Sequence, residues 1–255
     1  MKKRDFHGTY AYKTNKGRVR EDNEDQAMVS MNAYGEVFLI VCDGMGGEKK
    51  GELASKMAVD SMIKSFERKK QHSSGFLTKR WFAKALKEAN DLIYTNSIKN
   101  SNYEGMGTTL VACLIDGRNI FICNIGDSRA YIIKDGNLVQ LTKDQTYVNY
   151  LVSTGEITEE QAKVHEKRHV LLNALGIHPS LSYTLTHKKY NGEKILLCSD
   201  GLYNNLKDRE ILAVVTTDER ADQKVQNLIL EANHNGGTDN IACAFWEIID
   251  HDTNW

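Results

Sequence analysis

Short runs of β-favouring residues, each closed by turn residues, set the strongest limit on the fold: 37–42 (VFLIVC), 109–115 (TLVACLI), 119–125 (NIFICNI), 129–134 (RAYIIK), 194–198 (KILLC) and 241–249 (IACAFWEII). Asp116-Gly117 separates two of these runs and Asp135-Gly136 follows a third, and such dipeptides favour tight hairpins. The middle of the chain therefore reads as an antiparallel meander. Two helices stand out, one with Leu53, Met57, Met62, Ile63 and Phe66 along a face, the other with Trp81, Ala85, Leu86, Ala89, Leu92 and Ile93. A late helix carries Val225, Leu228, Ile229 and Ala232 and ends before Gly236-Gly237. Hairpins rather than βαβ alternation organise the strands, so the expected fold is α+β, a sandwich of layers with mixed or mostly antiparallel sheets.

A chain of 255 residues, 41% hydrophobic and 26% charged, has enough apolar surface for a core without disulfides or metals. A net charge of −1 supplies no field that would hold a nucleic-acid backbone. The basic start, MKKRDFHGTYAY, is followed by no apolar targeting segment, and no apolar run approaches a membrane span. The expectation is a single unit over 1–255 that is cytoplasmic and monomeric and engages neither nucleic acid nor membrane. Cys42, Cys113, Cys123, Cys198 and Cys243 each sit inside an apolar run without CxxC spacing and read as small buried hydrophobes. Residues 141–176 resist the strand pattern and read as a surface flap, in which Thr158 and Gln161 form a capping box that starts a helix at Glu159.

The chemistry lies in a recurrence. Apolar runs end in an aspartate beside a glycine at Asp43-Gly44, Gly126-Asp127 and Asp200-Gly201, while Asp239 lies just before the final run, with Asn240 between them. A carboxylate at the end of a buried strand is costly unless something positive compensates it, and a glycine lets backbone come close to that object. Each dipeptide alone is a good turn; the four together favour a divalent cation. All donors are hard oxygens, so Mg²⁺ or Mn²⁺ is favoured over Zn²⁺. GRVREDNED (17–25) then sets Arg20 beside the acidic Glu24 and Asp25, an anion-binding group next to a metal-binding cluster, as phosphoryl chemistry requires; alone, it would be a charged, solvated turn.

Other motifs fall short. Gly46 to Gly51 has the glycine spacing of a nucleotide-binding loop, but Glu52 and Leu53 replace its lysine and hydroxyl. Ser128 resembles an elbow nucleophile, yet a strand follows it, and it reads as a turn residue. His165 and His169 are four apart with no third ligand and read as surface or packing residues.

Taken in order, GRVREDNED, VCDGMGG, GMGTT, NIGDSRAY, LTKDQT with LVSTGEIT, RHVLLNALG, LLCSDGL and GGTDNIA resemble the metal-dependent protein Ser/Thr phosphatases of type 2C in their bacterial form, from Gly8 to about Trp246. The resemblance implies a four-layer α-β-β-α sandwich with a metal centre at one end and a flap over about 142–180. It implies two Mn²⁺ or Mg²⁺ ions, with Asp43 bridging them, the Gly44 carbonyl completing one, and Asp200 and Asp239 holding the other. Glu24 and Asp25 would orient waters, Asp127 with Asp200 would support a weaker third ion, and Arg20 would clamp phosphate. The implied reaction is attack on phosphoserine or phosphothreonine by a hydroxide shared between the ions, opposing a Ser/Thr kinase acting on the same phosphoproteins. Two departures stand out. Met45 replaces a histidine that serves many eukaryotic members as proton donor, so a water at the metals is the expected donor, and Gln145 stands where a histidine is frequent. A pseudophosphatase and a binuclear nuclease are the competing readings, disfavoured by the complete aspartate set and by the order of the motifs.

Overall fold

The computed structural model describes residues 7–47, 50–71 and 74–249. Its strands are β1 (Gly8–Asn15), β2 (Asp25–Met31), β3 (Val37–Met45), β4 (Gly107–Thr108), β5 (Leu110–Asp116), β6 (Asn119–Ile125), β7 (Arg129–Lys134), β8 (Asn137–Gln140), β9 (Thr184–Lys189), β10 (Lys194–Cys198) and β11 (Ile241–Ile248). Its helices are α1 (Lys50–Glu67), α2 (Gly75–Lys99), α3 (Tyr147–Thr154), α4 (Glu159–Val164), α5 (Asp200–Tyr203), α6 (Asp208–Val215) and α7 (Ala221–His234). One sheet runs β1-β11-β10-β7-β8 and the other β2-β3-β5-β6-β9, with β4 beside β3. Every pairing between these strands is antiparallel.

Strand alternation explains the layers, because successive side chains point to opposite faces of a sheet. On β3, Leu39 and Val41 enter the space between the sheets, where Val111, Ile122, Leu197 and Ala244 meet them. Phe38, Ile40 and Cys42 point the other way and pack with Met62, Phe66 and Phe82 of α1 and α2. In the second sheet Leu196, Cys198, Cys243 and Phe245 face Leu228 and Ile229 of α7. Central strands are therefore apolar on both faces, which is why they read as unbroken runs rather than alternating ones. The layers are helix, sheet, sheet, helix. All five cysteines are free and buried among them.

Both expected hairpins form, with Asp116 paired to Asn119 across the β5–β6 turn and Lys134 to Asn137 across the β7–β8 turn. Besides the two-residue β4, four strands went unread in the sequence: β1, β2, β8 and β9. Each lies at a sheet edge, where a strand has one neighbour and tolerates polar side chains such as those of TLTHKK in β9. Between β8 and β9 the flap carries α3 and α4 and is pinned by bridges Thr146↔Leu171 and Thr108↔Leu175. The Thr158–Gln161 capping box is present, and α4 starts at Glu159. Among the described residues no helix is long and apolar enough to cross a membrane.

This topology determines where the chain ends its strands. β2 begins at Asp25, directly opposite Asp43 near the end of β3. β10 ends at Cys198, two residues before Asp200, and its partner β11 starts two residues after Asp239. Asp127 lies in the crossing from β6 of one sheet to β7 of the other. Antiparallel pairing thus delivers these carboxylates to one end of the sandwich.

Candidate metal centre

Asp43 is the centre of the group. Its carboxyl is crowded by those of Asp25 and Asp200, whose charges repel its own. Its backbone is fixed from three sides: Asp43 N–H donates to Thr109 Oγ1 at 2.9 Å, and its carbonyl accepts from Thr108 Oγ1 at 2.9 Å and Thr109 N–H at 2.8 Å. Thr109 Oγ1 in turn pairs with Ser128 Oγ at 2.8 Å. Ser128 lies in the connection between β6 and β7, as the sequence suggested, and it is fully buried: its hydroxyl links the Asp127 segment through Thr109 to the strand that carries Asp43.

The glycines beside the aspartates also serve a different end from the one expected. Gly44 lies within β3 rather than in a turn, and a Cβ there would meet the Gly51 carbonyl oxygen at 2.1 Å and that of Glu24 at 2.7 Å. At Gly201 a Cβ would meet the Asn240 carbonyl oxygen at 1.9 Å. What comes close is neighbouring backbone, and the glycines let the segments bearing the carboxylates press together.

Asp25 is wholly buried and accepts from Ser199 Oγ at 2.6 Å through Oδ2. Its Oδ1 is buried and finds no donor. Burial pushes the Asp25 carboxyl up to about 8, and repulsion from Asp200 and Asp239 adds to this against the Ser199 hydrogen bond. Burial, then the charges of Asp25 and Asp200, holds Asp43 well above the ordinary carboxylate range. Asp200 is raised to about 6 by burial and Asp239, and Asp127 to about 7 by burial and Asp200. Asp239 accepts from Arg20 Nη2 at 2.8 Å through Oδ2 and from the Asn240 N–H at 2.8 Å through Oδ1.

Glu24 looks toward α1. Its Oε1 accepts from Gly51 N–H at 3.1 Å, where a helix N-terminus favours negative charge, and its carbonyl accepts from Gly44 N–H and Ser55 Oγ. Tyr203 OH donates to the Asp127 carbonyl at 3.2 Å. Asp127, Asp200 and Tyr203 open onto a cleft of about 780 Å³ whose far wall includes Arg168 and His169 of the flap. His165 and His169 do not share a helix, since α4 ends at Val164. His165 Nδ1 accepts from Lys167 N–H, whereas His169 faces the cleft near Asp200, a placement the sequence reading did not foresee. Arg129 of the GDSR motif grips Asp144 with Nε and Nη2, at 3.0 and 2.7 Å, and stacks on Tyr203. Met45 ends β3 opposite Gly107.

Among the described residues no three His, Cys, Asp or Glu side chains already form a complete coordination set. The donors nonetheless suit hard dications. Carboxyls crowd acceptor against acceptor, one buried oxygen has no donor, and the group is acidic throughout apart from Arg20. A cation of two or more charges would relieve the desolvation and the repulsion together.

Residues 14–235 match the protein phosphatase 2C family. The serine/threonine phosphatase stp of Listeria monocytogenes is 35% identical over 231 residues, spanning 90% of this chain and 92% of that protein. The solved serine/threonine phosphatase of S. agalactiae superimposes with a TM-score of 0.89 at 33% identity, covering 95% of this chain and 100% of that one. The catalytic domain of the phosphatase PstP, solved with two manganese ions, does so with a TM-score of 0.82 at 32% identity, covering 95% and 99%. With the sandwich, the ordered motifs and the carboxylates at one end of both sheets all in agreement, the chain belongs to the protein phosphatase 2C family.

Proposed function

We propose that this chain is a Mn²⁺- or Mg²⁺-dependent protein serine/threonine phosphatase that hydrolyses phosphoserine and phosphothreonine, acting as a monomer in the cytoplasm on phosphoproteins made by a Ser/Thr kinase. The observation that carries the reading is the convergence of Asp25 and Asp43, on paired strands of one sheet, with Asp200 and Asp239, beside the ends of paired strands of the other, while Asp25 Oδ1 is buried without a donor. Asp43, the Gly44 carbonyl, Asp200 and Asp239 would hold two ions, and Asp127 with Asp200 a weaker third at the cleft. When bound, the ions would supply Lewis acidity, lowering the pKa of water and neutralising the phosphoryl oxygens.

The protein groups do the rest. Arg20 is half exposed and directed at Asp239, so its remaining donors can take phosphate oxygens side by side. Asp25 Oδ1 can accept a hydrogen from a water entering between Asp43 and Asp200, orienting its lone pair toward phosphorus. Met45 offers no proton, so the leaving seryl or threonyl oxygen takes one from water in the cleft. The kinship with the manganese-containing PstP domain supports the choice of ion.

The test is hydrolysis of a phosphothreonine peptide with added Mn²⁺. Asp239→Asn should abolish turnover, by a factor of about 10² or more, with the circular dichroism spectrum unchanged. Turnover equal to that of the parent enzyme would remove Asp239 from the centre.

A further inference from the structure

Between β1 and β2 the segment 16–24 carries Arg20 and Glu24, yet belongs to no helix or strand. One side chain holds both of its ends. Asn240 donates Nδ2–H to the Lys16 carbonyl at 2.9 Å and to the Asp22 carbonyl at 2.8 Å, and its Oδ1 accepts from Glu24 N–H at 2.8 Å. The residue is nearly buried, at 6% exposure. Both amide hydrogens and the amide oxygen are therefore spent on the backbone of a segment more than two hundred residues away. An aspartate could serve only the Glu24 amide and would face two carbonyls with like charge.

The rest of the contact is equally close. Arg18 N–H donates to the Gly237 carbonyl at 2.8 Å. Gly17, at φ +78°, lies so near the strip that a Cβ would meet the Asp239 carbonyl oxygen at 2.2 Å. Asn240 thus couples two things: it follows Asp239 in the chain, and it fixes the backbone from which Arg20 reaches Asp239 Oδ2 at 2.8 Å. The Arg20 side chain is 53% exposed, so its aim depends on that backbone rather than on packing.

We propose that Asn240 is a positioning residue, which clamps the 16–24 loop so that Arg20 is set against Asp239. It acts through Arg20 and does not touch substrate. The kinetic consequence rests on the phosphatase reading; the structural one does not.

The experiment compares Asn240→Ala, Asn240→Asp, Arg20→Ala and the double variant Arg20→Ala/Asn240→Ala with the parent chain. Amide hydrogen exchange is measured by mass spectrometry and steady-state hydrolysis with a phosphothreonine peptide and Mn²⁺. In both Asn240 variants exchange in 16–24 should accelerate at least about tenfold, the effect of losing hydrogen bonds of ordinary strength, while the central strands β3, β5, β10 and β11 keep their protection. Asn240→Ala should raise KM about tenfold with a smaller fall in kcat, and should add nothing further once Arg20 is gone, the mark of two residues acting as one. Unchanged exchange in 16–24, multiplicative effects in the double variant, or loss of protection throughout both sheets would each overturn the proposal. A parent enzyme inert toward every phosphopeptide would defeat the phosphatase reading alone, because the exchange pattern still judges the clamp.

Discussion

Ser199 shows how much a single hydroxyl can hold. It donates to Asp25 Oδ2 and accepts from Ala242 N–H at 2.9 Å, in full burial. Ser199→Ala strands a buried carboxyl oxygen and a buried amide hydrogen, so unfolding in urea should show a loss of roughly 2 kcal/mol. A midpoint that does not move would mean that these partners find others. Nothing in the sequence marked Ser199, because a serine between an apolar run and an aspartate is an ordinary strand end. Asp43, Asp200 and Asp239 were legible because a charge closing an apolar run is expensive and so informative. Thr109, Ser128, Ser199 and Asn240 were not, since small polar residues carry no such cost until their partners are known.

At the scale of the element, the flap is fastened at its base by Gln145. Its Oε1 accepts from Gly126 N–H at 3.1 Å and from Asn173 Nδ2–H at 3.2 Å, while Nε2 donates to the Asn124 carbonyl at 3.1 Å. One side chain so joins the start of the flap, its return and the end of β6. Gln145→Ala should leave the sheets intact but open the flap locally, by roughly 2 kcal/mol for the three bonds taken together. Limited proteolysis would then cut within 141–176 before the rest of the chain. Cleavage as slow as in the parent would show that Arg129–Asp144 and the bridge at Thr146↔Leu171 suffice. The α4 start was readable from its capping box, a local signal; the anchoring by Gln145 was not, because its partners Asn124 and Asn173 lie 21 and 28 residues away.

Across the whole molecule, the acidic end stores a debt that depends on pH. Asp25, Asp127 and Asp200 have native values raised to about 8, 7 and 6, against about 4 in the unfolded chain. The native state therefore binds more protons than the unfolded one in this window, and its stability falls as pH rises from about 4 to about 8. Metal-free protein kept in EDTA should show a melting temperature that declines over that interval. Added Mn²⁺ should reverse the trend and release protons, more of them at pH 6 than at pH 8.5. A melting temperature that climbs from pH 5 to pH 8 in EDTA would contradict the crowding of these carboxylates. The sequence by itself determined the elements buried on both faces, the two Asp-Gly hairpins, the cap at Thr158 and the aspartates that end apolar runs, because desolvation, turn stereochemistry and capping act over a few residues. Only the tertiary structure decided the edge strands, the register of β2 on β3 that sets Asp25 against Asp43, and the Asn240 hold on the Arg20 loop. Those depend on which distant segments meet, and a hydrogen bond between residues two hundred positions apart leaves no trace in the residues beside either partner.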